Sequence, residues 1–362
     1  MSTGTSDGIA PLACSMPTGQ GDGSFLLNEL KQEPGSDEER SRTPRCSSEK
    51  SFTDKVPPPS TLHVADFMVS CKMPRWEDEA MRIFQESGFV VVLEVLNTSQ
   101  CKEVLQTCQQ LAEEIVALDP KGNRAPGRYS FGVASSTGSI LHLPSISTHL
   151  LSRAGVTLDP LLSKIFSKDG KADFMCYSGG GDFVLPGVEE YQFLHGDMQM
   201  NPDDVRMPPP FLSVNFCVQA LTSFNGPIRM VPGKTELDWD RRTEEEPAEW
   251  RHSRLFPVPA GAALRDVRIL HGGTPNWSEQ TRYLPSIEYV SGELRAEKDP
   301  EMFPPSRSIP WYVYETLPER VQHLCQELVA EKADPGCPDP DDQKPWESIY
   351  WHGARFRRTC HY

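Results

Sequence analysis

The stretch YQFLHGDMQ, residues 191–199, carries a histidine and an aspartate two positions apart within a partly apolar run. Such a run predicts a β-strand, and side chains two apart on a strand project from the same face. His195 and Asp197 are therefore expected to reach one ion from a rigid element. The tripeptide alone is weak evidence, because a chain with nine histidines can contain one by chance. The alternative is a partly exposed strand with two polar residues.

A second stretch, DVRILHGGTPN at residues 266–276, is an apolar strand that ends in His271 and continues into a glycine-rich turn. The glycines let the histidine approach a metal ion without crowding. Two histidines and one carboxylate occupy one face of an octahedron and leave three positions open, as is typical of non-haem Fe(II) oxygenases. Those positions suit a bidentate 2-oxo acid and O2. We therefore predict that His195, Asp197 and His271 form a catalytic Fe(II) site.

A third stretch, QTRYLPS at residues 280–286, places Arg282 eleven residues after His271. This separation suits a strand, a turn and a returning strand, so we expect Arg282 to project from the strand next to the one that bears His271. A guanidinium binds a carboxylate through two parallel hydrogen bonds, as the distal end of 2-oxoglutarate requires. We predict that Arg282 anchors 2-oxoglutarate. The alternative is a surface arginine in a salt bridge.

Further pocket residues follow from alternation along a predicted strand at residues 211–221, whose polar side chains share one face. We expect Asn215, from that face, to contact the co-substrate. Tyr177 and Ser286 are predicted to line the same pocket. The alternative for Asn215 is a hydrogen bond to neighbouring backbone.

Several motifs resemble those of the phytanoyl-CoA dioxygenase-like family, a branch of the Fe(II)/2-oxoglutarate-dependent oxygenases, over about Met81 to Val290. They occur in the family's order and are FQESGFVVV at 84–92, the H-x-D at His195, NGPIRMVPGKT at 225–235, PAG at 259–261, HGG at 271–273 and Arg282. Two positions depart from the family pattern. Lys234-Thr235 replaces the usual Ser-His, and Gly273 stands where a serine often helps to hold the co-substrate.

The resemblance implies an α+β fold, namely a double-stranded β-helix (jelly-roll or cupin-like) barrel flanked by helices. It also implies decarboxylation of 2-oxoglutarate to succinate and CO2, with ascorbate as the reductant. The expected substrate is a small or medium hydrophobic metabolite. Hydroxylation is the favoured outcome, because halogenating relatives lose the carboxylate ligand to chloride and this chain keeps Asp197.

The composition and the predicted elements divide the chain of 362 residues into three parts. Residues 1–60 are rich in Gly, Ser, Pro, Asp and Glu, and they are predicted to be a disordered tail because they cannot bury enough apolar surface. Residues 61–300 form the predicted dioxygenase domain, in which helices come first and strands later. Residues 301–362 are predicted to be a helical and Pro-rich extension that packs on this domain.

Within the domain, several elements are predicted from periodicity and from start and stop signals. A helix over residues 74–87 is expected to end at Gly88 and to be followed by a strand over Phe89–Leu93. Thr98 or Ser99 is expected to cap the next helix. Residues 263–270 are predicted to form one strand, and residues 318–332 a late helix.

A formal net charge of −15 and a pI near 5.1 argue against partners that are nucleic acids or anionic membranes. No run approaches the roughly 18 to 20 apolar residues that a membrane span requires, and the N-terminus lacks a secretory profile, so a cytoplasmic protein is expected. The ten cysteines are scattered without a C-x-x-C pair. The expected partners are a small-molecule substrate, O2 and 2-oxoglutarate, whereas the oligomeric state has no sequence signature.

Two other functions remain open for the same residues. A barrel relative that has lost catalysis would serve as a ligand-binding or regulatory module, although such a chain would be expected to lose one of the metal ligands or Arg282. A zinc hydrolase could use the same ligands. Metal analysis and activity without oxygen separate these possibilities.

Overall fold

The computed structural model describes residues 56–131, 139–197, 208–235, 246–297 and 309–329. The predicted N-terminal tail up to residue 55 and the predicted extension beyond residue 329 lie outside these ranges. Within the described residues, the search for helices long and apolar enough to cross a membrane finds none.

Two long helices begin the domain, close to where the sequence predicts them. Helix α1, Trp76–Ser87, buries Ala80, Ile83 and Phe84 along one stripe. It ends at Gly88, whose φ of +77° is a left-handed conformation that glycine adopts without a steric penalty. A buried strand follows at Phe89–Leu93, as predicted. Helix α2 then spans Thr98–Leu118.

Helix α2 is capped one residue earlier than predicted. Asn97, not Thr98 or Ser99, is the N-cap residue. Its side-chain oxygen accepts a hydrogen bond from the backbone N–H of Gln100 at 3.0 Å, and its own N–H donates to Gln100 Oε1 at 3.0 Å. This reciprocal pair satisfies two backbone donors that the helix leaves free.

We expect Asn97→Ala to lower the free energy of unfolding by about 1 kcal/mol, because it removes the capping acceptor. Asn97→Asp keeps that acceptor and should remain within about 0.5 kcal/mol of the wild type. Urea denaturation of the three proteins measures both differences. Equal midpoints for the wild type and Asn97→Ala would show that the cap contributes nothing.

The remaining helices are short. They are α3 Ser152–Val156, α4 Asp159–Ile165, α5 Ala248–Arg251, α6 Gly292–Glu297, α7 Trp311–Tyr314 and α8 Glu319–Cys325, together with the 3₁₀ turns Val64–Phe67 and Ile140–His142 and the π-helix Ile146–Leu151. Helix α8 begins where the late helix is predicted but ends at Cys325; residues 330–332 of the predicted helix lie outside the described chain.

The described residues contain eleven strands. They are β1 Met68–Ser70, β2 Phe89–Leu93, β3 Arg128–Ser130, β4 Ser167–Lys168, β5 Lys171–Ala172, β6 Phe174–Val184, β7 Phe211–Cys217, β8 Arg229–Thr235, β9 Gly261–Asp266, β10 Ile269–Gly272 and β11 Arg282–Ser291. Seven of them form a larger sheet in the order β1-β2-β9-β7-β11-β6-β3. Its neighbouring strands are antiparallel, except for the parallel pair β1–β2.

A smaller sheet pairs β10 with β8. Single bridges extend it on both sides, from His195 to His271 and from Arg229 to Arg254. The chain alternates between the two sheets: β6, β7, β9 and β11 lie in the larger one, and the segments between them cross to the smaller one. This alternation is the arrangement of a double-stranded β-helix, and with the flanking helices it confirms the predicted α+β fold class.

Two strand predictions were wrong in detail. The single strand predicted over residues 263–270 is two strands, β9 and β10, which belong to different sheets. Asp266 closes the turn between them, because its carboxylate accepts from the backbone N–H of Arg268 at 3.0 Å and pairs with the Arg268 guanidinium. The strand predicted around His195 is reduced to one bridge within the described residues.

The two faces of the larger sheet have different roles. Its outer face packs on the helices through apolar side chains such as Val90, Leu264 and Ile287. Its inner face carries apolar residues such as Ala263 and Leu284 in a second, smaller core between the sheets. Toward one end the inner face becomes polar, and the candidate site lies there.

Candidate metal centre

A row of polar side chains crosses the inner face of the larger sheet. Its members come from four adjacent strands in register and are Ser178, Glu288, Ser213 and Arg265. In the next row Asn215 of β7 lies opposite Ser286 of β11, and both side chains are buried. The polar residues predicted to share one face of β7 therefore do face the space between the sheets.

His195, Asp197 and His271 converge opposite this row, each offering one ligand atom within 4.8 Å of the others. Asp197 Oδ1 lies 3.6 Å from His195 Nε2 and 3.4 Å from His271 Nε2. The backbones of the two histidines exchange N–H···O hydrogen bonds of 3.0 and 3.1 Å. The N–H of Asp197 donates to the carbonyl of Val267 at 2.7 Å. The segments that carry these three residues are thus held to each other by backbone hydrogen bonds.

The two imidazoles are oriented in the same way. His195 Nδ1 lies 2.9 Å from the carbonyl of Phe193, and His271 Nδ1 lies 2.8 Å from the carbonyl of Ile269. A carbonyl can only accept, so each Nδ1 carries the proton and each Nε2 keeps its lone pair. This is the orientation that a metal-binding histidine requires.

Electrostatics keep His195 and Asp197 in metal-binding protonation states. Burial, followed by the neighbouring His271, lowers the pKa of His195 to about 4, so its imidazole is neutral at physiological pH. Burial alone would raise the pKa of Asp197, but Arg265 foremost and both imidazoles hold it well below its usual range. Two imidazoles and a carboxylate fit a divalent first-row metal ion such as Fe(II).

Arg265 is a site residue that the sequence analysis missed. Its Nη1 lies 2.6 Å from Asp197 Oδ2 and 2.5 Å from His271 Nε2. Its Nε donates to Asn215 Oδ1 at 3.1 Å. The signal available in the sequence was a charged residue in the otherwise apolar strand GAALRD, residues 261–266.

Glu288 is a second site residue that was missed. Its Oε2 is buried without a hydrogen-bond partner, and a hydrogen bond from Ser178 reaches the same carboxyl group. Burial and the charge of Asp197 raise the pKa of Glu288 to about 7. The folded protein therefore holds a proton on this group between about pH 4.5 and pH 7, where the unfolded chain has lost it.

A group whose folded-state pKa is raised contributes stability that is lost as the pH rises through that range. As the pH rises from 5 to 8, the wild type should lose stability and Glu288→Gln should not, because glutamine does not ionise. We therefore expect the free energy of unfolding of Glu288→Gln, relative to that of the wild type, to increase by about 1–2 kcal/mol across this range. Urea denaturation at both pH values, with a chelator present, measures this difference. A difference between the two proteins that does not change with pH would contradict the assignment.

Arg282 lies at the start of β11 and only 1% of its side chain is exposed, so it is not a surface arginine. Its Nη1 and Nη2 lie 2.8 and 3.3 Å from the two carboxylate oxygens of Asp182, and its Nε donates to the carbonyl of Gly226 at 3.0 Å. These contacts use three of the five N–H groups of the guanidinium. The expectation that β11 adjoins β10 is wrong, because β11 pairs with β6 and β7 in the larger sheet and β10 pairs with β8.

The three predicted pocket residues differ in position. Asn215 contacts Arg265, and Arg265 in turn contacts Asp197 and His271 of the cluster. Ser286 faces Asn215 across the β7–β11 pair. Tyr177 lies at the end of β6 distant from Arg282 and packs edge-on against Phe211, with 5.7 Å between ring centroids. Two of the three are therefore brought toward the cluster.

Three solved structures match parts of this chain and share little sequence with it. AviO1 from Streptomyces viridochromogenes Tue57 is 20% identical, with 61% of this chain and 97% of AviO1 covered and a TM-score of 0.42. HygX from Streptomyces hygroscopicus, solved with nickel, 2-oxoglutarate and hygromycin B, is 16% identical over 61% and 88% of the two chains, with a TM-score of 0.43. The epimerase SnoN, solved with Fe3+, alpha ketoglutarate and nogalamycin RO, is 13% identical over 59% and 83%, with a TM-score of 0.42.

The sequence itself matches one family model. Residues 84–284, more than half of the chain, match the model of phytanoyl-CoA dioxygenase (PhyH). A comparison with curated proteins finds no match. The matched range contains the His195–Asp197–His271 cluster, Arg265 and Arg282. The chain therefore belongs to the phytanoyl-CoA dioxygenase (PhyH) family of Fe(II)- and 2-oxoglutarate-dependent enzymes.

Proposed function

We propose that the protein is a non-haem Fe(II)- and 2-oxoglutarate-dependent dioxygenase that hydroxylates a small or medium hydrophobic metabolite and releases succinate and CO2. The observation that carries this proposal is the convergence of His195, Asp197 and His271 with both Nδ1 atoms protonated, so that each Nε2 keeps its lone pair. That donor set leaves one face of the metal's coordination sphere open to a co-substrate and O2.

The chain's own residues would have distinct roles. His195, Asp197 and His271 would hold the iron, and the carbonyls of Phe193 and Ile269 would fix the two imidazoles. When bound, iron would activate O2, which is the oxidant, and 2-oxoglutarate would supply two of the electrons as it is oxidised to succinate and CO2, with ascorbate as the expected reductant of the iron. The protein would contribute the geometry of the site.

Arg282 would bind the distal carboxylate of 2-oxoglutarate. Asp182 orients its guanidinium, and two N–H groups remain for a second carboxylate. Burial would raise the pKa of Asp182, but Arg282 and then Arg128 lower it, so the orienting group is an anion. Asn215, Ser286 and Tyr177 remain predicted pocket residues.

The remaining expectations are part of the same proposal. The division into a tail at 1–60, a dioxygenase domain at 61–300 and an extension at 301–362 is retained. The partners are small molecules rather than nucleic acid or membrane, and the compartment is the cytoplasm.

The test is a screen for succinate release. The purified protein is given Fe(II), ascorbate and 2-oxoglutarate in air, alone and with pools of metabolites, and succinate is measured by mass spectrometry. We expect slow release without substrate and faster release with one pool. If the protein consumes no 2-oxoglutarate under any of these conditions, the proposal is wrong. A hydrolytic activity that survives without oxygen would point to a zinc hydrolase instead.

One observation favours a second candidate, a ligand-binding module without catalysis. The Arg265 guanidinium contacts two of the three proposed metal ligands. If Arg265 blocked the site permanently, the protein would bind no metal.

A further inference from the structure

Arg265 contacts two of the three candidate metal ligands, and one of these contacts is to a nitrogen atom that a metal ion would need. Its Nη1 is within hydrogen-bond distance of both Asp197 Oδ2 and His271 Nε2. Because His271 Nδ1 carries the ring proton, Nε2 is the acceptor and the guanidinium is the donor. The guanidinium remains charged in proteins and would repel a divalent cation at this distance. Arg265 and a metal ion therefore cannot both bind His271 Nε2, although Asp197 Oδ1, the oxygen that faces both imidazoles, is not the one that Arg265 contacts.

A second position for the guanidinium exists in the same row of the sheet. Glu288 lies two strands away from Arg265, which places their Cα atoms about 10 Å apart at the usual strand spacing. Both side chains are long and face the same space, so together they can span that gap. Between them lies Ser213, whose hydroxyl is buried without a hydrogen-bond partner, as is Glu288 Oε2.

The Ser213 hydroxyl and Glu288 Oε2 are suitable acceptors for the guanidinium of Arg265 if it leaves Asp197 and His271. A buried carboxylate oxygen without a donor is costly, and a charge-assisted hydrogen bond from a guanidinium would satisfy it. The negative charge of Asp197 lies close enough to disfavour ionised Glu288. A metal ion on Asp197 would offset that charge and make the Glu288 carboxylate a better partner for Arg265.

On the basis of the proposed function, we propose that Arg265 is a positioning residue that holds Asp197 and His271 until a metal ion replaces it, whereupon its guanidinium moves to Glu288. The contacts of Arg265 would keep Asp197 and His271 in place before the metal ion binds. They would also lower the metal affinity, since these contacts must break first.

The test is the affinity for Co(II), measured by isothermal titration calorimetry on the full-length protein. We expect Arg265→Met to bind Co(II) about 10- to 100-fold more tightly than the wild type, as the loss of one or two competing charge-assisted hydrogen bonds predicts. Glu288→Gln should bind more weakly than the wild type, because the displaced guanidinium then meets a neutral amide oxygen instead of a carboxylate. In the double variant the Glu288→Gln effect should vanish, since no guanidinium remains to be accommodated.

Two controls separate this role from general stability. Arg268→Met removes another buried arginine from the same segment, one that pairs with Asp266, and should leave Co(II) affinity unchanged. Arg265→Gln serves if the methionine variant does not fold. A purely structural role for Arg265 would lower the melting temperature without tightening metal binding. If Arg265→Met and Arg265→Gln bind Co(II) as weakly as the wild type or more weakly, the role inferred for Arg265 is wrong and the proposed metal centre stands. If none of the proteins binds Co(II), including the wild type, the proposed metal centre is wrong as well.

Discussion

Asp197→Ala should abolish the release of succinate from 2-oxoglutarate. Asp197 is the only carboxylate in the described three-residue cluster, and its removal leaves His195 and His271 without the anion that binds and neutralises a divalent metal ion. We expect turnover to fall by at least about a thousandfold, equivalent to roughly 4 kcal/mol in the activation barrier. The measurement is the rate of succinate formation at saturating Fe(II) and 2-oxoglutarate.

Asp66 provides a matched control for this variant. It is also an aspartate paired with a histidine, His63 at 3.0 Å, but 66% of its side chain is exposed on the surface. Asp66→Ala should retain the wild-type rate. A folded Asp197→Ala protein that still forms succinate at more than a tenth of the wild-type rate would remove Asp197 from the metal site.

Arg282→Met should raise the KM for 2-oxoglutarate by about 100-fold or more, with a smaller effect on the rate at saturation. The guanidinium is expected to donate two charge-assisted hydrogen bonds to the distal carboxylate, and their loss corresponds to roughly 2.7 kcal/mol of binding. The variant also leaves Asp182 without its partner, so the protein should be less stable. Succinate formation as a function of 2-oxoglutarate concentration measures the change in KM.

Arg268→Met is the control for that loss of stability. Arg268 is buried like Arg282 and pairs with Asp266, but it lies in the turn between β9 and β10. Its replacement should destabilise the fold by a similar mechanism and leave the KM for 2-oxoglutarate within about twofold of the wild-type value. If both variants raise the KM equally, Arg282 has a structural role and another group anchors the co-substrate.

The cluster at the candidate metal centre was accessible from the sequence because its signals are local. His195 and Asp197 are two residues apart, and His271 is followed directly by two glycines. The helix over Trp76–Ser87 and its glycine stop are local signals of the same kind. Local spacing fixes which side chains share a face, and the exchange of backbone hydrogen bonds between His195 and His271 completes the cluster.

The features that the sequence did not predict come from contacts between distant segments of the chain. The contact between Arg265 and Asp197 joins a strand to a loop 68 residues earlier in the chain. The position of Arg265 in the same row as Glu288 depends on the register of three strands. Arg282 meets Asp182 a hundred residues away. The division of the predicted strand 263–270 depends on the Asp266–Arg268 pair, whose role as a turn appears only once the two sheets are known. Composition and periodicity carry no information on such contacts.

Binding of Fe(II) and 2-oxoglutarate without oxygen tests the proposed centre most directly. Equilibrium dialysis of the full-length protein should find one Fe(II) per chain, and 2-oxoglutarate should bind tightly only after the metal. Absence of bound iron, or 2-oxoglutarate binding that is the same with and without iron, would contradict a metal centre at His195, Asp197 and His271.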